Sequence, residues 1–256
     1  MGTIFVTGSS DGIGLQTART LIAAGHRVVL HARNEQRASQ TSNAAPGASA
    51  VVVGDLASIA QTKALAEAAN TYGPYDVIIH NAGVGGGSGP RQVTADGLER
   101  IFAINTLAPY VLTALMPLAP RMVYLSSGLQ ENGIADLSDL QYERKPYRGM
   151  QAYSDSKLHD VMLAFAVARR HPNMVSNAVD PGWIKTKLGG PGATNELDEG
   201  AETQVWLATS DEAEATATAR LLKWRQPLVP NPAAKDVAMQ DGLLEACARL
   251  SGVNLE

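Results

Sequence analysis

The chain has 256 residues, 45% of them hydrophobic and 18% charged, and its formal net charge is −4. Such a chain can bury a sizeable core, and global disorder is excluded. Lysine and arginine are scattered without a basic block, which argues against nucleic acid or an anionic membrane surface as a partner.

In chain order, the start "MGTIFVTGSS" has no basic segment and no long apolar run, so neither a secretory signal nor an integral membrane anchor is expected. The run "TIFVT" at 3–7 predicts a first strand and the spacing over 13–24 a first helix. The loop between them reads "TGSSDGIG", with Gly8, Gly12 and Gly14 in the order T-G-x-x-x-G-x-G. Glycines there permit a tight turn and let a pyrophosphate approach the backbone at a helix N-terminus, where N–H groups and a positive dipole end wait. After a first strand and before a helix, the trio is a strong dinucleotide signal.

The second strand, "RVVLH" at 27–31, runs into "ARNEQR". A cofactor with a free ribose 2′-hydroxyl usually meets a carboxylate at this strand end, but Arg33 stands there. An arginine holds a 2′-phosphate, so NADP (NADPH) is expected rather than NAD. Further strands follow at 49–54, 75–80, 121–127 and 174–180. Helices are predicted at 58–70, with Ser58 as N-cap, near 95–116 and over 152–170. Strand–helix alternation without a linker predicts one domain spanning 1–256, a parallel sheet covered by helices on both faces. Two long Gly- and Pro-containing stretches, 128–151 and 181–200, break the rhythm and read as functional loops.

The stretch "QAYSDSKLHD" places Tyr153 and Lys157 four apart, on one face of the predicted helix. An ammonium about 4 Å from a phenol contributes roughly 4 kcal/mol at an effective dielectric near 20. That draws a group ordinarily titrating at about 10 toward neutrality, where it serves as an acid or base. His80 reads as a packed or hydrogen-bonded histidine, and His159 as facing away from Lys157. Trp183 and Trp224 read as core residues, with Trp183 equally placed to touch a substrate. Cys247, the only cysteine, lies on the helical face "LLEACARL" and reads as packed; it excludes an intrachain disulfide and fits a reducing cytoplasmic setting.

Seven segments together resemble the short-chain dehydrogenase/reductase family: "TGSSDGIG" at 7–14, "GDL" at 54–56, "HNAG" at 80–83, Asn105 in "FAINTLAPYVLT", Ser127 in "VYLSS", "YSDSK" at 153–157 and "DPGWIKT" at 180–186. The long insert before Tyr153 and the C-terminal segment are similar to the retinol-dehydrogenase-like and protochlorophyllide-reductase-like branch. The resemblance implies a doubly wound Rossmann fold with a mostly seven-stranded parallel sheet. It implies an NADP-dependent oxidoreductase acting on a small-molecule carbonyl or alcohol.

Carried over residue by residue, the resemblance makes Asn105, Ser127, Tyr153 and Lys157 catalytic. Tyr153 exchanges the proton, Ser127 orients the substrate oxygen, Lys157 tunes the phenol and holds the cofactor ribose, and Asn105 holds a water in the proton path. Cofactor contacts are implied for Gly8, Ser10, Asp11, Gly12, Ile13, Gly14, Arg33, Asp55, Leu56, Asn81, Ala82, Gly83, Tyr153, Lys157, Pro181, Gly182, Ile184 and Thr186. No metal is expected, since hydride chemistry belongs to the cofactor. Loops 128–151 and 183–200 and the tail 222–256 are expected to shape the substrate site. The resemblance leaves the oligomeric state open: family members often form homodimers through the helices bearing Asn105 and Tyr153, and members of this branch vary. Two functions compete: a non-catalytic NADP-binding regulator on the same fold, and a C=C reductase. Two departures stand out: Ala108 and Pro109 follow Asn105 where glycine is common, and Asp11 stands where many NADP-binding members carry a base.

Overall fold

A computed structural model describes residues 1–255. Its first half alternates strand and helix: β1 (Thr3–Val6), α1 (Gly12–Ala23), β2 (Arg27–Ala32), α2 (Glu35–Ala44), β3 (Ala50–Val53), α3 (Ile59–Asn70) and β4 (Val77–His80). Then come α4 (Arg100–Phe102), a π-helical turn (Ala103–Leu107), α5 (Ala108–Leu115) and β5 (Arg121–Leu125). The second half holds a 3₁₀ turn (Gly128–Asn132), α6 (Gly149–Arg170), β6 (Val175–Val179), α7 (Leu197–Thr209), α8 (Ala213–Thr216), β7 (Leu221–Lys223), β8 (Gln226–Leu228), a second 3₁₀ turn (Pro232–Lys235) and α9 (Val237–Ser251).

The sheet runs in the order β3-β2-β1-β4-β5-β6-β7-β8. Strands β1 to β7 pair in parallel, and β8 closes one edge antiparallel to β7. The doubly wound parallel sheet is therefore present, with an eighth strand that the short, Pro-containing "RQPLV" did not announce. Two apolar clusters lie on its two faces. One gathers Phe5, Ile78, Met122 and Tyr124 with α3, α5 and α6; the other gathers Ile4, Val6, Ile79 and Val123 with α1 and Trp206 of α7. Alternate residues of one strand serve opposite clusters, as the pleat requires.

Local signals account for several boundaries. Ser58 caps α3, accepting from the Gln61 N–H, and Asn34 caps α2, accepting from Arg37. α6 begins at Gly149, three residues earlier than predicted, so the preceding loop ends at 148. The 95–116 helix starts only at Arg100 and is broken by the π turn. Pro109 explains the break: it has no N–H for the Asn105 carbonyl, and its ring would crowd that carbonyl in a regular helix. Cys247 is fully buried, as expected. The two tryptophans are not core residues. Trp183 is 54% and Trp224 47% exposed, because the first lies in the 181–196 loop and the second at the β7–β8 turn with a positive φ of 49°. No helix among the described residues is long and apolar enough to cross a membrane.

Candidate active site

In a parallel sheet all strands end on one edge, and loops leaving that edge meet. Val6 pairs with Leu30 and Ile79, His80 with Tyr124, and Leu125 with Val179. Gly8, Arg33, Asp55, Asn81, Ser127 and Pro181 each lie within two residues of a strand's last residue, so the register alone brings them to one edge. The strand order reverses between β1 and β4, and the crevice of such a sheet opens there.

The glycine loop is built for close approach. A Cβ on Gly8, whose φ is +61°, would stand 2.7 Å from the Ala82 Cα. One on Gly14 would collide with the Asn81 amide and lie 2.5 Å from the Gly8 carbonyl. Asn81 donates to the carbonyls of Thr7 and Gly8, while the Thr7 hydroxyl accepts from the N–H groups of Asn81 and Ala82. These bonds lock the loop to the end of β4. Ser10 donates to the His31 carbonyl, and Ile13 is half-buried under the loop. The N–H groups from Ser10 to Gly14 find no acceptor among the described residues outside the helix itself, and α1 has no acidic residue in its first turn. A helix start with free donors and no side-chain cap suits a phosphate.

His31 was not singled out from the sequence, yet it holds this loop in place. Its Nδ1 accepts from the Gly8 N–H at 2.9 Å, and its Nε2 lies 2.8 Å from the Gly54 carbonyl. The two contacts assign the neutral Nε2–H tautomer. Burial keeps the imidazole neutral and lowers its pKa. Only its place at the end of an apolar strand hinted at a role.

Along the adenosine side, Arg33 is exposed and forms no ion pair among the described residues. Asp55 accepts from the Ala57 N–H and so caps its own turn, with Leu56 buried beside it. Asp11 does not cap α1. It receives Arg37 at 2.7 Å and Lys187 at 3.1 Å. Burial works to raise its carboxyl, but the two cations outweigh burial and hold it below the usual range.

On the other side of the crevice, Asn105 is fully buried in the π turn. Its amide accepts from the Val84 N–H at 2.8 Å and donates to the Val84 carbonyl at 2.9 Å and to the Ser156 hydroxyl at 3.0 Å. Ser127 lies two residues past Leu125, the last residue of β5, and accepts from the Leu129 N–H, starting the 3₁₀ turn. Tyr153 and Lys157 share a face of α6, as predicted, with Lys157 Nζ 5.7 Å from the phenol ring centroid. The ammonium donates to the Leu125 carbonyl at 2.7 Å, and Ser126 donates to the Lys157 carbonyl at 2.7 Å. α6 is thereby pinned to the end of β5 where Ser127 emerges. A Cβ on Gly83 would stand 3.4 Å from Lys157 Nζ, so that glycine keeps space open in front of the ammonium.

Asp160 is the residue that the sequence reading left out. Its Oδ2 lies 2.8 Å from Lys157 Nζ, with both side chains at most 5% exposed. Burial opposes the Lys157 charge, but Asp160 more than offsets it and the ammonium's pKa rises; burial likewise works to raise the Asp160 carboxyl, against the pull of Lys157. The i, i+3 spacing in "KLHD" was the available signal. His159 faces away, as predicted, toward Thr106 and Phe102. His80 is packed, 4.7 Å from the Tyr124 ring and bonded to Thr113.

The 181–196 loop crosses the crevice. Gly182, with φ +93°, turns it after Pro181, donating its N–H to Asp180. Ile184 is buried against Gly200. A Cβ on Gly12 would meet the Thr186 methyl at 3.3 Å, and Leu188 packs over Gly85. The insert and the tail meet each other: Asn231 donates to the carbonyls of Glu131 and Gly133, and Leu137 fills the space over Gly242. Tyr142 of the insert bonds Asp155 at 2.5 Å, anchoring the insert to α6.

The chain matches a family model described as short chain dehydrogenase over residues 2–197. It is 44% identical over 260 residues to an uncharacterized oxidoreductase of Emericella nidulans, covering 100% of this chain and 99% of that one. It is 31% identical over 258 residues to human retinol dehydrogenase 14, covering 84% and 76%. Among solved structures, a blue fluorescent protein from a metagenomic library, in complex with NADPH, superimposes with a TM-score of 0.68 at 27% identity, covering 86% and 95%.

Proposed function

Because the chain belongs to the short-chain dehydrogenase family, in the branch that includes retinol dehydrogenases, we propose that it is an NADP-dependent oxidoreductase moving a hydride between the cofactor and a carbonyl or alcohol carbon, with Tyr153 as acid and base. The observation that carries the reading is the pinning of α6 to β5. Lys157 holds the Leu125 carbonyl, Ser126 holds the Lys157 carbonyl, and Asn105 holds Ser156. Four side chains from three separate elements are thus tied to one another's neighbours at the mouth of the crevice.

The free N–H groups of Ser10 to Gly14 suit the pyrophosphate, and Arg33 suits a 2′-phosphate. Asp55 and Leu56 would border the adenine, and Asn81, Ala82 and Gly83 the ribose beside it. Pro181, Gly182, Ile184 and Thr186 would border the nicotinamide, which when bound supplies the hydride. In carbonyl reduction the Tyr153 hydroxyl gives its proton to the substrate oxygen. Ser127 donates a hydrogen bond to the same oxygen, and its present acceptance from Leu129 leaves that O–H free to do so. Lys157 stands beside the phenol with one donor directed to the space that Gly83 keeps clear. Asn105 holds Val84 and Ser156 so that this arrangement cannot drift. The loops 128–148 and 183–196 and the tail beyond 222 enclose the substrate side, a small-molecule carbonyl or alcohol.

A screen of NADPH oxidation over aldehydes, ketones and quinones, with the reverse alcohols and NADP⁺, tests the activity. Tyr153→Phe tests the mechanism. It keeps the ring, so NADPH affinity and thermal midpoint should hold while turnover falls about 10² to 10⁴-fold. Lys157→Ala should lose both affinity and turnover. A Tyr153→Phe protein with near-normal hydride transfer would falsify the reading.

A further inference from the structure

We propose that Asp160 is a positioning residue for this site: its buried carboxylate neutralises and orients Lys157, and so keeps the Tyr153 proton donor loaded at neutral pH. The proposal rests on Tyr153 and Lys157 acting as the acid–base pair.

The geometry is specific. Two of the three ammonium donors are taken, by the Asp160 carboxylate at 2.8 Å and by the Leu125 carbonyl at 2.7 Å. The partners lie on different elements, α6 and the end of β5, so together they fix the direction of the third donor. A buried ammonium is costly unless its donors find acceptors, and the Leu125 carbonyl and the side chain at 160 supply two. Paired with Asp160 it stays charged, but the pair as a whole is neutral. A neutral pair draws the phenol toward ionisation less than a lone cation does. The site thus combines a hydrogen-bonding ammonium with a weak net field.

The titratable groups bearing on the pair are few. Tyr153 lies on the same helix, and Tyr124 faces Asp160 from β5. His80 of β4 stacks behind Tyr124, and burial keeps it neutral with its pKa at about 3. The Tyr124 hydroxyl is engaged with Thr113 at 2.8 Å. Among the described residues, the carboxylate that offsets Lys157 there is Asp160.

Asp160→Asn keeps the shape and an acceptor for Lys157 but removes the charge; Asp160→Ser is a second neutral variant that also offers an acceptor, should the first fail to fold. For carbonyl reduction, the alkaline fall of kcat/KM should begin about one pH unit lower in either variant, the size expected for one uncompensated charge within ~10 Å at a dielectric near 20. The apoprotein gives an independent readout. The phenolate absorbance that disappears on Tyr153→Phe should appear at correspondingly lower pH when Asp160 is neutralised. An alkaline limb and a phenolate titration that stay in place, or move upward, overturn the proposal. If Tyr153→Phe leaves turnover intact, the acid–base reading itself has failed. If Tyr153→Phe is inactive and the neutral variants titrate as wild type, only the role of Asp160 has failed.

Discussion

Lys187 reaches 3.1 Å from the carboxylate of Asp11, joining the 181–196 loop to the glycine loop across the mouth of the crevice. Arg37 from α2 meets the same carboxylate at 2.7 Å, so one acid links three segments that surround the expected cofactor. Thr186 against Gly12 and Leu188 over Gly85 close the same span with apolar contacts. Exposed ion pairs are weak, about 0–1 kcal/mol, so this bridge can open at little cost.

A loop held so lightly should respond to ligands. Hydrogen exchange over residues 183–200 should slow when NADPH binds and slow further with substrate. Lys187→Ala should speed exchange at 184–188 in the free protein and leave the sheet unchanged. Strong and equal protection in every state would show that the loop is a fixed wall.

The proposed preference for NADP(H) rests on Arg33. A charged hydrogen bond to a phosphate is worth about 1.5–3 kcal/mol. Arg33→Ala should therefore weaken NADPH binding by about one to two orders of magnitude and leave NADH nearly unchanged. Titrating both cofactors against both proteins decides it; equal losses would place the specificity elsewhere. Arg37 is already engaged by Asp11, so Arg33 is the cation free to act.

Gly14 tests the close approach of the loop. An alanine methyl there would run into the Asn81 amide and lie 2.5 Å from the Gly8 carbonyl, and neither group can yield without losing its hydrogen bonds. Gly14→Ala should cost about 1–3 kcal/mol of stability, the usual range for overpacking, and should weaken both NADPH and NADH. Urea midpoints and cofactor titrations measure the two effects. A variant as stable as wild type would mean that the loop can shift freely.

Acid should weaken the fold before most carboxylates titrate. Burial lowers the pKa of His80 to about 3 and that of His159 to about 4, and it also lowers His31. In the unfolded chain each titrates at about 6.5. The unfolded state therefore binds more protons below that pH, and stability present above 6.5 is lost as pH falls toward the folded values. Each histidine contributes about 1.4 kcal/mol per pH unit in that window. His80→Phe keeps a ring against Tyr124 and leaves Thr113 bonded to the Tyr124 hydroxyl, so its unfolding free energy should depend less steeply on pH between 6 and 5 by that amount. An unchanged slope would show that His80 titrates alike in both states.

What the sequence by itself determined was the strand–helix alternation, the glycine loop, Arg33 without a neighbouring acid, and Tyr153 one turn before Lys157. These are local matters: hydrophobic period, backbone freedom and i, i+4 spacing act within a few residues and need no partner from elsewhere. The order of strands, the antiparallel β8 and the exposure of Trp183 and Trp224 were decided only by the tertiary structure, since each depends on what the assembled sheet leaves uncovered. The same holds for the site's supports. Asp160 is an unremarked acid until Leu125 and the buried face of α6 leave Lys157 as its partner, and His31 is an ordinary strand residue until β1, β2 and β3 bring Gly8 and Gly54 to its two nitrogens. Long-range burial decides which polar groups must find each other, and one chain read in order does not show which those are.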